Sequence, residues 1–449
     1  MPRPQRPRRP SRTDGAARRI GRPSSSRTPK PPATDGPVIE LEVGRIAHGG
    51  IAVARHEGRV VFVADAIPGE RVRARVTDAS KERFWRADTV EVVEASPDRR
   101  EHVWAEASVD RAPELRAGGA EFGHIRMPRQ RELKAQVATD ALARFAGLER
   151  RVEVEPVDGA LAPGVDADEG TGWRTRVRLH VDRDGRVGPY AARSHTVVPV
   201  TSLPLAAPEL QALAPLGAPM PGTATIDLVA PGDGRAEVVV DAAAGDRGRI
   251  VHEVVDGRRF RLDRGGFWQV HRGAAATLSH AVRDLVDPDR FDPRAANLDL
   301  YGGVGLLAAA VGDRFGDTVR ITSVEADERA TDHAAANLAD WVGARAETGR
   351  VDRWLAELDA VADQALRARL RGALVVLDPP RSGAGREVVE RLAALRPAQL
   401  LYVACDPVAL ARDLGTFHEH GYGVEAMRAF DLFPNTHHVE AVVRLGAIV

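Results

Sequence analysis

The sequence predicts an α/β protein whose C-terminal part is a doubly wound, mostly parallel sheet with an antiparallel edge. A small all-β unit and a β-rich middle precede it. Three observations carry this. From Gly266 onward short apolar runs (ANLDLYGGVG, RITSVEAD, GALVVLDPPR, QLLYVAC) alternate with helical patterns such as AAATLSHAVRDLV and EVVERLAALR, as parallel strands joined by helical crossovers do. The last two strand-like runs, VEAMRAFDLF and HHVEAVVRL, follow too closely for a crossover and so read as the antiparallel edge. Between Val38 and Pro97 alternating strands are punctuated by His48-Gly49-Gly50, Glu57-Gly58 and Pro68-Gly69, which are turn signals.

At 449 residues and 43% hydrophobic content the chain can bury large cores, and its length suggests about three folded domains. It has no apolar run of membrane-spanning length and no apolar segment of the secretory kind near the N-terminus, so no membrane partner is expected. One cysteine in the whole chain rules out internal disulfides, and the cytoplasm is the expected compartment. The formal net charge of −1 hides an asymmetry, because residues 1–37 carry ten Lys or Arg against Asp14 and Asp35. The remaining body is acidic. Any RNA partner must therefore be held by local patches.

Taken in order, residues 1–37 are rich in Pro, Arg, Ser and Gly and have almost nothing to bury; they read as a disordered basic tail. Residues 38–97 read as the small β unit, in which Arg71, Arg73 and Arg75 alternate with Val72, Ala74 and Val76 and so share one strand face. Residues 98–262 form a central segment. Within it, 129–150 reads as one helix with Leu133, Val137, Ala141, Leu142 and Phe145 on its apolar side and Gly147 at its end. WRTRVRLHVDRDGRVGPY reads as a hairpin turning at Asp184-Gly185, with Arg174, Arg176 and Arg178 on one face, a ladder suited either to phosphates or to solvent. Residues 263–449 form the doubly wound domain.

The chemistry concentrates in that last domain. Asp299-Leu300-Tyr301-Gly302-Gly303-Val304-Gly305 ends a strand in a Gly-rich loop that lets backbone approach a ligand, and Glu325 closes the next strand where it can hold ribose hydroxyls. By itself this pair predicts an adenosine-type ligand in a Rossmann-like crevice. Asp378-Pro379-Pro380-Arg381 ends a further buried strand. Cys405 stands where the strand LLYVA gives way to a helix capped by Asp406 and begun by Pro407. A helix N-terminus favours the thiolate, whereas the charge of Asp406 opposes it. In FPNTHHVEAVV, His438 and Glu440 are two apart on a strand and face the same way, so Glu440 is a candidate base for the thiol.

DLYGGVG, LDPPR, LYVACDP followed by Arg412-Asp413, and FPNTHHVE together resemble the uridine-5 RNA methyltransferases that use S-adenosylmethionine, and GGFWQVH with Gln269 resembles the motif opening their catalytic domain. GGIAVAR, VVFVADAIPGE and RVRARV resemble the TRAM domain, an OB-like barrel of RNA-modifying enzymes. The resemblance covers the chain from about Val38 to the C-terminus. It implies Cys405 as nucleophile, Glu440 as base, and Gln269, Tyr301, Glu325, Asp378, Leu306 and Asp352 as contacts of S-adenosylmethionine, beside the loop glycines Gly303 and Gly305. It also implies an RNA substrate, with ribosomal RNA favoured over transfer RNA, bound by a monomer with help from Arg71, Arg73, Arg75, Arg174, Arg176 and Arg178.

Two departures stand out. The family often has Ser and Asn around the nucleophile, where this chain has Ala404 and Asp406. Many members hold an iron–sulfur cluster, but the matching segment ELRAGGAEFGH carries Ala117 and Ala120 at two cysteine positions, and Leu203 stands where a later one belongs. With a single thiol in the chain such a cluster is chemically excluded, and no metal is expected. Two other readings remain at this stage. A nicotinamide-dependent oxidoreductase shares the Gly-rich loop and Glu325 but gives no role to Cys405, Glu440 or DPPR. An RNA-binding protein with a decayed methyltransferase domain accounts for the missing cysteines but not for the presence of both Cys405 and Glu440.

Overall fold

The computed structural model describes residues 35–242 and 248–448, so all but the last three residues of the basic tail lie outside the described residues. Strands β1 (Val38–Ala47), β2 (Ile51–His56), β3 (Arg59–Ala64), β4 (Arg71–Asp78) and β5 (Phe84–Glu94) close into a barrel in the order β1-β2-β3-β5-β4. Period-2 alternation turns Leu41, Val43, Val61, Val63, Val72 and Ala74 inward, where they form one apolar cluster. The arginines of β4 share the outer face, as expected. They are not free, however: Arg71 is paired with Glu40 and Glu94, and Arg73 with Glu91 at 2.8 Å. The strand register sets these acids beside the arginines, so this face is a set of exposed ion pairs and not an unbroken basic stripe.

The central segment supplies α1 (Met127–Ala141), which continues through a π-helical turn at Leu142–Ala146 and stops at Gly147, held left-handed with φ +65°. Leu133, Ala141 and Leu142 are buried as the periodicity predicts. Phe145 is 41% exposed instead, because the wider π turn breaks the 3.6-residue phase from which its burial was extrapolated. Next come β6 (Val154–Glu155), β7 (Arg176–Val181), β8 (Val187–Gly188), α2 (Pro208–Leu213), β9 (Thr225–Val229) and β10 (Glu237–Val240), of which four strands make a sheet ordered β10-β9-β7-β8. Two arginines of the second ladder are paired as well. Arg178 makes a bidentate pair with Asp227 at 2.6 and 2.9 Å, and Arg176 bonds to Glu253 and to the carbonyls of Arg264 and Gly266. Arg174 lies before the strand and reaches the cavity described below. β11 (Ile250–Val255) and β12 (Arg258–Asp263) form a separate hairpin.

The C-terminal part alternates helices α3 (Ala274–Leu285), α4 (Leu306–Phe315), α5 (Glu328–Asn337), α6 (Val351–Val361), α7 (Gln364–Arg371), α8 (Arg386–Leu395) and α9 (Pro407–Glu419) with strands. The strands are β13 (Asn297–Leu300), β14 (Ile321–Glu325), β15 (Ala344–Thr348), β16 (Leu374–Leu377), β17 (Gln399–Ala404), β18 (Tyr422–Phe430) and β19 (Glu440–Ala447). Every residue of β13, β16 and β17 is buried, as expected of parallel strands covered on both faces. One face packs Leu300, Leu377 and Tyr402 against α1, α8 and α9; the other packs Val376, Leu401 and Val403 against α3, α4 and the β11–β12 hairpin.

The sheet order is β15-β14-β13-β16-β17-β19-β18-β6. β18 and β19 are antiparallel as predicted, but they are not the edge. Val154 and Glu155 of β6 add a parallel strand beyond β18, a two-residue element too short for a periodicity signal. β19 begins only at Glu440, so His438 belongs to the preceding loop rather than to a shared strand face.

Candidate active site

β14, β13, β16 and β17 lie side by side, so the loops leaving their C-terminal ends converge on one edge of the sheet. These loops carry Glu325, Tyr301 to Gly303, Asp378 to Arg381, and Cys405. Together with Gln269, Leu306, Arg174 and Glu440 they line a cavity of about 990 Å³, within the upper range of ligand sites. Gly305 and Asp352 stay outside that lining. Gly305 caps α4 in the left-handed region at φ +88°, and Asp352, in the first turn of α6, bonds Arg350 at 2.9 Å.

The Gly-rich loop is folded by its neighbours. A Cβ on Gly302 would stand 2.1 Å from Ser323 Oγ and 2.6 Å from Asp299 Oδ2, so only glycine fits there. Glu325 fixes both sides of the crevice. Its Oε2 accepts the N–H of Gly303 at 3.1 Å, and its Oε1 accepts those of Ala326 and Asp327.

Cys405 is half-buried, between β17 and α9. The thiol's environment contradicts the favourable half of the sequence reading. Asp406 Oδ1 takes the N–H groups of Val408 and Ala409, at 3.0 and 2.8 Å, so the helix end is already satisfied by a carboxylate. Burial pushes the thiol up to about 12; Glu440, Asp378 and Asp406 add to the shift, and Arg381 opposes it. Glu440 is 3% exposed. Burial, and then the charge of Asp378, hold it well above the usual carboxylate range against the pull of Arg381. Asp378 in turn is raised to about 7 by burial and by Asp299. Burial thus disfavours the charged forms of Cys405, Glu440, Asp378 and Asp299. Glu121 on the same cavity wall is instead, against its own burial, held low, to about 2, by its bond to His437.

Asp299, Arg381 and Glu121 also line the cavity, although the sequence reading gave none of them a site role. Asp299 is fully buried and raised to about 6, chiefly by burial; Oδ2 accepts a bond from Ser323 Oγ at 2.9 Å while Oδ1 has no hydrogen-bond partner. An acid inside an otherwise apolar strand is the signal that could have found it.

The segment leading to Glu440 is clamped from α1. Gln130 exchanges two hydrogen bonds with Asn435, at 2.9 and 2.8 Å, and Asn435 Nδ2 donates to the carbonyls of Glu169 and Gly170. Asn435 holds φ +64°, a left-handed conformation that asparagine tolerates better than most residues.

Residues 356–448 match the family model of tRNA (uracil-5-)-methyltransferases, and residues 32–90 match that of the TRAM domain. A protein of Streptomyces avermitilis named an RNA methyltransferase is 40% identical over 444 residues, covering 91% of this chain and 98% of that protein. A second, from Streptomyces coelicolor, is 39% identical and covers 97% and 98%. The chain belongs to the uracil-5 RNA methyltransferase family. The fold of this family member is also that of the Pyrococcus abyssi tRNA (uracil-54, C5)-methyltransferase solved with S-adenosyl-L-homocysteine, at a TM-score of 0.63 and 20% identity over 91% of this chain and all of that one.

Proposed function

We propose that the protein methylates carbon 5 of a uridine in RNA, with S-adenosylmethionine as methyl donor, Cys405 as nucleophile and Glu440 as base. The observation that most supports this is the meeting, in one cavity, of the chain's single thiol, a buried carboxyl group and a Gly-rich loop. The residues present suit the donor: Gln269, Tyr301, Glu325 and Asp378 line the crevice, and the unpartnered Asp299 Oδ1 is an acceptor in want of a donor. Gly305 and Asp352 would act from behind that lining. S-adenosylmethionine supplies, when bound, a methyl group carried on a sulfonium cation.

Uracil C5 is a poor nucleophile on its own. Cys405, as thiolate, forms a bond to C6 and leaves the ring as an enolate whose C5 takes the methyl group. Glu440 then accepts the C5 proton, the C5–C6 double bond re-forms and the Cys405 thiolate leaves. Both groups must reach a base extruded from its stack, which favours an unpaired or flipped uridine. Arg174 is the member of the arginine ladder best placed to meet RNA at the cavity wall.

Ribosomal RNA is our first reading of the substrate, on the TRAM-like barrel, for a monomer acting in the cytoplasm. Transfer RNA is the second, favoured by the names of the matched family and of the Pyrococcus abyssi neighbour. Digestion and mass mapping of both RNA classes from a deletion strain decides between them. The roles are tested by two variants. Cys405→Ala abolishes methylation and any covalent RNA adduct. Glu440→Gln still adds and methylates but eliminates more slowly, by about 10²- to 10⁴-fold as for other lost general bases, so methylated RNA stays bound to protein on a denaturing gel. Methylation by Cys405→Ala, or wild-type turnover by Glu440→Gln, overturns the assignment.

A further inference from the structure

The turn between β1 and β2 carries His48 out of the barrel and onto the nucleophile's helix. His48 Nε2 lies 2.8 Å from Asp406 Oδ2, while Oδ1 of the same carboxylate caps α9. The turn is seated tightly. A Cβ on Gly50, at φ +71°, would stand 2.6 Å from His437 Cβ and 3.1 Å from the Phe122 ring, so the barrel's tip is packed against the segment that leads to Glu440.

We infer that His48 is a positioning residue for Cys405, an imidazolium that holds Asp406 in its capping geometry and offsets its charge beside the thiol. The catalytic consequence rests on the reading of Cys405 as nucleophile. The electrostatic one does not.

The charges that bear on the pair can be named. Cys405 faces Glu440, Asp378 and Asp406, which disfavour its thiolate, and Arg381, which favours it. His48 faces Asp406 and, more distantly, Arg412 on the same helix; Lys134, His437 and His438 border the same small pocket. The hydrogen bond that His48 donates to Asp406 raises the imidazole's pKa against the effects of burial and of Arg412. Burial acts to raise the pKa of Asp406, but its bond to His48 and the backbone N–H groups outweigh it and hold the carboxylate ionised. The pair is therefore ionic below the raised pKa of His48 and loses its cation as pH rises through it. The help given to Cys405 follows the same course.

Because the chain has one cysteine, iodoacetamide alkylation of the intact protein, followed by mass, reads Cys405 alone and needs no RNA. On the acid side of the His48 transition, His48→Ala is expected to alkylate about three- to tenfold more slowly than wild type, equivalent to about half to one pKa unit. The ratio should close towards one above that transition. His48→Gln, which keeps a donor without a charge, should follow His48→Ala. In an Asp406→Asn background, where the cap is retained and the charge removed, loss of His48 should have no effect on the profile. Loss of folding would expose the thiol and speed alkylation, so it cannot imitate the expected result. A wild-type/variant ratio that does not change with pH, recovery by His48→Gln, or an equal loss in the Asp406→Asn background overturns the inference. Methylation by Cys405→Ala would instead remove the nucleophile assignment and leave the alkylation profile standing.

Discussion

Lys134 Nζ lies 2.5 Å from Asp431 Oδ1, with the two side chains 0% and 1% exposed, and it also donates to the Phe433 carbonyl at 3.0 Å. A lysine on the inward side of α1 thus holds the start of the segment that delivers Glu440. Removing one member of a buried pair strands the other charge, so Lys134→Met should destabilise the protein by about 3–5 kcal/mol in urea unfolding. Lys134→Met combined with Asp431→Leu should recover most of that loss. A single variant as stable as wild type would show that the pair is not confined to the interior in solution.

Asn435 combines a left-handed backbone with bonds to Gln130, Arg100, Glu169 and Gly170. Asn435→Ala loses both features and should cost roughly 2–4 kcal/mol, since buried partners are left unsatisfied. Asn435→Gly relieves the backbone alone and should sit about 0.5–1 kcal/mol above Asn435→Ala in stability. Thermal melts of the two variants separate the contributions.

Asp299 and Asp378 are raised from 3.8 to about 6 and about 7, chiefly by burial. The folded chain therefore binds more protons than the unfolded chain between the ordinary carboxylate pKa and those values, and its stability falls as pH rises through that window. A cation entering the cleft favours the ionised acids. Binding of S-adenosylmethionine near pH 6 should then release protons, measurable by calorimetry in buffers of different ionisation enthalpy. Asp299→Asn should release fewer. Proton uptake on binding would contradict this sign.

Ala117, Ala120 and Leu203 share one apolar cluster with Trp104 and Trp173, at 5%, 2% and 4% exposure. Apolar packing thus occupies the three positions that the family resemblance points to as cluster cysteines. The purified protein should be colourless, and a strong iron chelator should leave its melting temperature unchanged. A stoichiometric iron–sulfur absorption band would refute this.

The residues that were readable from sequence are those whose environment follows from chain direction. DLYGGVG, Glu325, DPPR and Cys405 each end an apolar run, and parallel strands bring such ends together without any knowledge of register. What periodicity could not supply is the cross-strand and cross-domain partner. Arg71 and Arg73 look like a free basic face until the register sets Glu40, Glu91 and Glu94 beside them. Lys134 scores as a solvent residue until Asp431, 297 positions away, is placed against it. The capping of α9 by Asp406 was legible. That the same carboxylate would meet a histidine from the barrel was not.

The two residues of β6 have a consequence for how the protein can be divided. Val154 and Glu155 pair with Ala429 and Phe430, and Asp431 N–H donates to the Glu155 carbonyl at 2.8 Å. The border of the C-terminal sheet is thus finished by chain made long before it. A fragment starting at residue 263 would carry β18 with its N–H and C=O groups uncovered, an invitation to pair with another copy of itself. During synthesis the segment around β6 has to wait, unpaired, until nearly the last residues have been added, and a contact of such long range forms late and slowly. The excised C-terminal part should therefore self-associate where the whole chain does not, and a supplied peptide spanning residues 148–157 should suppress it.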